Sequence, residues 1–161
     1  MGLYKIKDNY IKFWFEFIYP YKSYIETDHT DFVMDKIRES FIKNHVAFVY
    51  EDICRTEFMN DLIANNTWDF VPQKIGRWWD RKDTEIDIVA IDENSDSIIF
   101  GECKYTNKEM DIDVYYALLE KIKKVDWNKD SRNENFVFFS LNGYTEKLKE
   151  LAEENKNIVL A

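Results

Sequence analysis

Cysteine is nearly absent from this chain of 161 residues: Cys54 and Cys103 are the only two, far apart and without the spacing of metal ligands. A thiolate metal centre is thereby excluded, and two free thiols in a reducing compartment are the simpler expectation. A single Cys54–Cys103 bridge is the alternative. Histidine is equally scarce, and His29 and His45 lack the pattern of a metal or catalytic site. No apolar run approaches the roughly 18 residues of a membrane span, and no charged-then-apolar signal segment opens the chain. A cytoplasmic protein with no membrane partner is expected. Positive charge is also short, with 22 Lys and Arg against 31 Asp and Glu, a net charge of −9. That balance weighs against broad binding to nucleic acid through its phosphates, yet it suits an acidic metal site beside a local basic groove. The sequence has no internal repeat, low-complexity tract or long linker.

What is present is a hydrophobic fraction of 45% and an aromatic fraction of 17%, enough for one domain with a real core and a short appendage. Residues 1–29 differ in texture from residues 30–161, which sets the expected boundary between a helical extension and a domain. Tyr10-Ile11-Lys12-Phe13-Trp14-Phe15-Glu16-Phe17-Ile18-Tyr19-Pro20-Tyr21 is dense in aromatics, and Pro20 ends a short helix. So much apolar surface either packs on the following domain or marks a joint to another one. Self-association through residues 10–21 is a further expectation. A membrane-surface helix is disfavoured by its thin basic face.

Two helical stretches follow, over residues 31–43 and 44–65, with Asn44 capping the second. Glu51 lies near the apolar stripe of that second helix, three residues before Cys54 and seven before Phe58. After Pro72 the pattern changes to strands at residues 74–79, 85–92 and 98–105. A helix at 113–125, a buried strand at 136–140, a helix at 145–154 capped by Thr145 and a last strand at 158–160 complete the chain. The order is α-β-β-β-α-β-α-β.

Charge stands in two of these strands where a buried strand should carry none. Thr84-Glu85-Ile86-Asp87-Ile88-Val89-Ala90 places Glu85 and Asp87 on one face, and Ile98-Ile99-Phe100-Gly101-Glu102-Cys103-Lys104-Tyr105 does the same for Glu102 and Lys104. Val89 and Ile91 continue the first face, and Ile98 and Phe100 the second, so both look buried further along. Paired as a hairpin, the strands bring three carboxylates and an ammonium together. Hard oxygen donors suit Mg²⁺ or Mn²⁺, which polarises a phosphate and acidifies a bound water. Asp87 and Glu102 would be metal ligands, and Glu85 a further ligand, an outer partner or a salt-bridge residue. Lys104 would orient the water and stabilise charge at phosphorus, with Glu51 assisting from the helix. Two plainer readings compete: solvated charges on an exposed edge, or a structural ion pair of Lys104 with Glu102 or Asp87. Lys74, Arg77, Arg81 and Lys82, with Trp78 and Trp79 among them, could grip phosphates and stack a base. One of the two Trp rings should face the core. Glu120-Lys121-Ile122-Lys123-Lys124 is expected to be an exposed helix face, with phosphate contact as the alternative.

Asp87 followed fifteen residues later by Glu102-x-Lys104 resembles the motif of the PD-(D/E)xK nuclease superfamily. The element order is similar to that superfamily's αβββαβ core, with Glu51 in the place of its helix-borne acid. A longer resemblance runs through Leu3-Tyr4-Lys5-Ile6-Lys7-Asp8, Phe13-Trp14-Phe15-Glu16-Phe17-Ile18-Tyr19-Pro20, Ile75-Gly76-Arg77-Trp78-Trp79-Asp80-Arg81, Glu85-Ile86-Asp87-Ile88-Val89-Ala90 and Gly101-Glu102-Cys103-Lys104-Tyr105. Together these blocks are similar to the C-terminal domain of archaeal DEXX-box ATPases. In that family the domain follows an ATPase module, so the resemblance implies a chain that begins at the joint, as a fragment or a stand-alone relative. No G-x-x-x-x-G-K-[ST] occurs, and no nucleotide is expected by that route.

The resulting expectation is an α/β domain of restriction-endonuclease-like type, a mixed central sheet flanked by helices with an aromatic-rich N-terminal helical extension. Its expected activity is Mg²⁺- or Mn²⁺-dependent endonucleolytic hydrolysis of DNA. The rival is a catalytically silent module of the same fold that docks an ATPase or other protein partner, or recognises DNA.

Overall fold

The structure, a computed structural model, describes residues 6–80, 82 and 84–161. It groups into two compact units, divided between Val49 and Tyr50. The first is helical. Asp8 caps α1 (Asn9–Phe13) by accepting the Ile11 N–H, and the chain continues through a π-helical turn (Trp14–Ile18). Pro20 then sits in a 3₁₀ turn (Tyr19–Tyr21) before α2 (Lys22–Glu26) and α3 (Thr30–Phe41). Part of the aromatic segment's apolar surface is absorbed inside this unit. The Phe13 and Phe17 rings meet Phe41 edge-on, at 5.7 and 5.9 Å between centroids, and Phe17 and Val33 are buried. This packing joins α3 to the aromatic segment, so the division falls later than residue 29. Asn44 caps nothing: it lies inside a second π-helical turn, Ile42–Val46, because no break in the helical backbone occurs there.

The second unit is built on one five-stranded sheet in the order β1 (Lys74–Trp79), β2 (Glu85–Asp92), β3 (Ser97–Lys104), β4 (Asn133–Ser140) and β5 (Ile158–Leu160). β1, β2 and β3 pair antiparallel; β3, β4 and β5 pair parallel. The parallel half requires crossovers, supplied by α6 (Ile112–Ile122) and α7 (Glu146–Glu154). β3 is buried almost throughout, as the sheet's central strand should be. One face carries Phe100, Phe136 and Phe138 beneath Leu118 and Ile122 of α6 and Leu148 of α7. The other carries Ile99, Val137 and Phe139 beneath Cys54 and Met59, from the helical run of α4 (Ala47–Ile53), a π-helical turn (Cys54–Phe58) and α5 (Met59–Ala64). Helices therefore flank a mixed sheet on both sides. Among the described residues no helix is long and apolar enough to cross a membrane.

The boundaries differ from expectation where polar residues belong to regular elements. β4 begins at Asn133, three residues before its apolar stretch, because Ser97, Ile98 and Ile99 of β3 pair with Asn133, Glu134 and Asn135. Thr145 occupies the N-cap position of α7, but its hydroxyl donates to Asp111 at 2.7 Å and so ties the starts of α6 and α7 together. The end of α6 is held by Arg132, which is 9% exposed. Its guanidinium donates to the carbonyls of Ile122, Val125 and Trp127 at 2.6–3.1 Å and stacks over the Phe100 ring.

Gly101 lies on β3 between Ile88 of β2 and Val137 of β4. A Cβ there would meet the Val137 side chain at 2.8 Å, Ile88 at 3.0 Å and the Val137 carbonyl at 3.1 Å. All three neighbours belong to the buried sheet and cannot swing away. Gly101→Ala is expected to lower stability by about 1–3 kcal/mol, the usual cost of overpacking. Urea denaturation measures it, and an unchanged midpoint would show that the sheet opens without cost.

Candidate active site

Glu102 is the side chain around which the site is arranged. It follows Gly101 on the central strand and is 2% exposed, a depth at which a carboxylate must be paired or protonated. Its Oε1 accepts from the Lys121 ammonium at 2.5 Å, and its Oε2 lies 3.9 Å from Lys104 Nζ. Burial, and after it repulsion from Asp87, pushes the Glu102 carboxyl up to about 7; Lys121 and Lys104 act in the opposite sense.

Asp87 and Glu102 follow directly on the last regular β2–β3 pair, Ile88 with Gly101, beside an irregularity of β2 against β1. Gly76 pairs with Val89 but Trp78 pairs with Ile86, so β2 contains one residue more than β1 between these pairs. Ile86 accordingly packs with the core beneath α6, whereas Ile88, two residues on, packs with the core beneath Cys54 and Met59. Val89 and Ile91 pack with the same core as Ile98 and Phe100 of β3, so the alternation is broken between Ile86 and Ile88. The regular β2–β3 ladder stops at Ile88 and Gly101. Beyond it the Asp87 Oδ2 accepts the Cys103 N–H at 2.9 Å, a side chain doing the work of a ladder carbonyl. The Asp87 carbonyl, freed from β1, accepts from Arg55 Nη1 at 2.7 Å. Arg55 is itself held by Asp52.

A cleft of about 610 Å³ opens over these groups, lined by Glu51, Glu85, Asp87, Glu102, Lys104 and Lys121, with Thr84, Cys103, Glu120 and Lys124 completing it. The residues singled out for chemistry from the sequence thus meet in one place, with different surroundings. Lys104 is 43% exposed at the cleft. Glu51, on α4, pairs with Arg77 Nη2, and both side chains are mostly buried. Glu85 is 59% exposed and lies 3.9 Å from the same guanidinium, which is its salt-bridge alternative. Arg77, expected to contact substrate, is turned toward these two acids and has little exposure to offer a phosphate. Trp78 packs against the core and Trp79 is 52% exposed, so a stacking surface would be Trp79 rather than Trp78. Lys82 is exposed, with its N–H bound to Asp80, while Arg81 lies outside the described residues. Cys54 and Cys103 are free and buried. The Cys54 sulfur as hydrogen-bond partner, together with burial, pushes the Cys103 thiol far up, so it stays protonated.

Sequence reasoning missed Arg55, and it placed Lys121 on an exposed helix face, whereas Lys121 turns inward to Glu102. Lys121 stands in a charged run that looks solvated, and only its position beside buried Leu118 and Ile122 hints that it points inward. Arg55 adjoins Cys54 on the helical run and carries no motif.

Among the described residues no three Asp, Glu, His or Cys side chains converge closely enough to cage a metal ion. Asp87 and Glu102 do fit Mg²⁺ or Mn²⁺ as a two-carboxylate set, since Mg²⁺ commonly keeps several waters and takes one or two carboxylates plus substrate phosphate. The carboxyl of Glu102, buried and repelled by Asp87, is where a cation would relieve the most strain.

Comparison with known proteins adds family but not activity. Residues 14–124 match the model of the DUF234 family, described as Archaea bacterial proteins of unknown function. An uncharacterized protein of Methanocaldococcus jannaschii is 36% identical over 126 residues, which is 77% of this chain and 28% of that protein. The chain therefore spans under a third of the length of that relative. Among solved structures, the crystal structure of a repair endonuclease from Pyrococcus abyssi superposes with a TM-score of 0.41 at 17% identity, over 65% of this chain and 44% of that one. A likeness that loose carries no argument about chemistry.

The environment of Glu102 has a thermodynamic signature. Unfolded, it ionises near its ordinary value of 4.5; folded, near 7, so the folded state holds an extra proton between those values. This group's contribution is full below about pH 4.5 and is lost as pH rises through 7. Between pH 5 and pH 8 the wild type should lose on the order of 2–4 kcal/mol of stability relative to Glu102→Gln, which cannot ionise. Chemical denaturation of both proteins at the two pH values measures this, and a constant difference would show that Lys121 already offsets burial.

Proposed function

The chain belongs to the DUF234 family, and from that premise, with the Asp87–Glu102–Lys104 constellation, we propose that it is a metal-dependent nuclease hydrolysing DNA phosphodiester bonds. The observation that carries this reading is a buried carboxylate, Glu102, kept beside a second one, Asp87, at the floor of an open cleft with ammonium groups around it. A purely structural role would be served better by apolar residues of similar size.

Asp87 and Glu102 would hold Mg²⁺ or Mn²⁺, which when bound supplies charge stabilisation at phosphorus and a water acidic enough to attack it. Lys104 has the reach and exposure to hold a water or a non-bridging phosphate oxygen at the cleft. Glu51 acts through Arg77, and Glu85 meets the same guanidinium from β2, so this trio keeps the rim of the cleft in place rather than supplying ligands. The Asp87 carboxylate is pre-positioned by the Cys103 N–H, and Arg55 holds the Asp87 backbone carbonyl, so its geometry does not await the ion. DNA is the proposed substrate, and Trp79 and Lys82 offer it exposed contacts. An ATPase module or other protein is the proposed partner.

One observation favours a second reading, a silent module of the same fold. Glu102 and Glu51 are each already paired with a cation of the chain itself, as they would be in a site that has stopped binding metal.

Incubation with single-stranded, duplex and branched DNA in Mg²⁺ or Mn²⁺ separates the two. Metal-dependent cutting is expected, reduced at least about 100-fold in Asp87→Ala and in Lys104→Ala, the usual scale for a lost electrostatic catalyst. Equal cutting by all three proteins would sink the assignment of these residues. No cutting by the wild type would favour the silent module.

A further inference from the structure

Two ammonium groups face Glu102, and the closer one is not the one the motif names. Lys121 Nζ is 2.5 Å from Oε1, whereas Lys104 Nζ is 3.9 Å from Oε2. Lys121 is also the less exposed of the two, at 30% against 43%. Its placement is built in. Leu118 and Ile122 bury the adjoining face of α6, and Arg132 holds the Ile122 carbonyl at that helix's end, so the stem of Lys121 starts from an anchored base. Lys124, one turn on, is engaged elsewhere, with Asp80 at 3.3 Å and the Thr84 hydroxyl at 2.5 Å.

An ammonium in contact with a carboxylate oxygen and a dication bound to that same carboxylate repel one another at short range in a partly dry site. Asp87 and Glu102 without either would be two carboxylates held together, one of them buried, which is costly. One cation or the other is therefore required, and both together are disfavoured. We infer that Lys121 is the resident counter-ion of the cation position. It neutralises Glu102 when no metal is bound, and it must leave Oε1 when one binds. Its long stem then delivers the freed ammonium into the cleft, where the phosphate of a nucleic acid would stand. This inference rests on the metal-dependent reading above. It makes Lys121 a positioning residue with opposite effects on two steps, weakening metal binding and supporting the bound anion.

The test is Mn²⁺ binding in the absence of DNA, followed by the loss of the free-ion electron paramagnetic resonance signal at pH 7.5. Lys121→Met is expected to bind Mn²⁺ about tenfold more tightly than the wild type, because its competitor is gone. Lys121→Arg should stay within a few-fold of the wild type. Lys124→Met removes a positive charge from the same cleft without touching Glu102, and should shift affinity less than twofold. Lys121→Met binding no more tightly than the wild type, or a gain equalled by Lys124→Met, would overturn the inference. Should Lys121→Met fail to fold by circular dichroism, Lys121→Gln takes its place. Asp87→Asn guards the underlying reading separately. If it binds Mn²⁺ as well as the wild type, or if no variant binds the ion, the metal site fails and this inference falls with it. If Asp87→Asn alone loses binding, the metal site stands whatever Lys121 does.

Discussion

The hydrogen bond from the Cys103 N–H to Asp87 is the contact on which the rest of the site depends. In an uninterrupted antiparallel ladder that N–H would be taken by a backbone carbonyl, and the Asp87 carboxylate would have no reason to lie against β3. The β2–β3 ladder runs only to Ile88 and Gly101, beside the point where β2 carries one residue more than β1. Accepting the Cys103 N–H satisfies a buried donor, so the acid is retained by the same rule that governs every buried backbone group. The carboxylate thus has a structural hold on one oxygen, beside a strand whose next residue inward is Glu102. Arg55 completes the arrangement by taking the carbonyl that the irregularity releases.

The sequence disclosed the sheet well because its strands obey simple rules. β1, β2 and β5 lie where alternation and turn residues put them, at Lys74–Trp79, Glu85–Asp92 and Ile158–Leu160. It disclosed the meeting of Glu51, Asp87, Glu102 and Lys104 as well, since charge in an otherwise apolar strand is hard to explain by burial alone. It could not disclose the broken alternation between Ile86 and Ile88. Whether a strand carries one residue too many depends on its partner, and Gly76-Arg77-Trp78 gives no local sign of it. The same limit hid the destiny of Arg77. A basic residue between a glycine and two tryptophans looks like a phosphate contact until a helix places Glu51 opposite. Asn44 misled for a different reason: Asn is a good cap, but propensity is a weak prior, and the helical backbone runs through it as a π-helical turn.

Charge is used in two distinct ways along the cleft. Deep in it, Glu102 and Lys121 are tightly opposed and largely dry, where breaking one partner leaves the other exposed to the full cost of burial. At the rim, pairs such as Lys123 with Glu120 are mostly solvated and contribute little to stability. The cleft is acidic like the chain as a whole, with Glu51, Glu85, Asp87, Glu102 and Glu120 against Lys104, Lys121 and Lys124. A cation is therefore better suited to it than an anion with no cation beside it.

The mixed topology also orders events during folding. β1, β2 and β3 form a meander whose contacts are local along the chain, whereas β4 can join β3 only after α6 has been carried across the sheet. Asp87 and Glu102 belong to the early part, but the ammonium nearest to Glu102 arrives with the crossover helix. Until that loop closes, Glu102 lacks both the helix that buries it and the ammonium that pairs with it. The unusual electrostatics of the cleft are thus a property of the finished tertiary structure. A nascent or partly unfolded chain carries the same residues in the same order, yet is chemically ordinary.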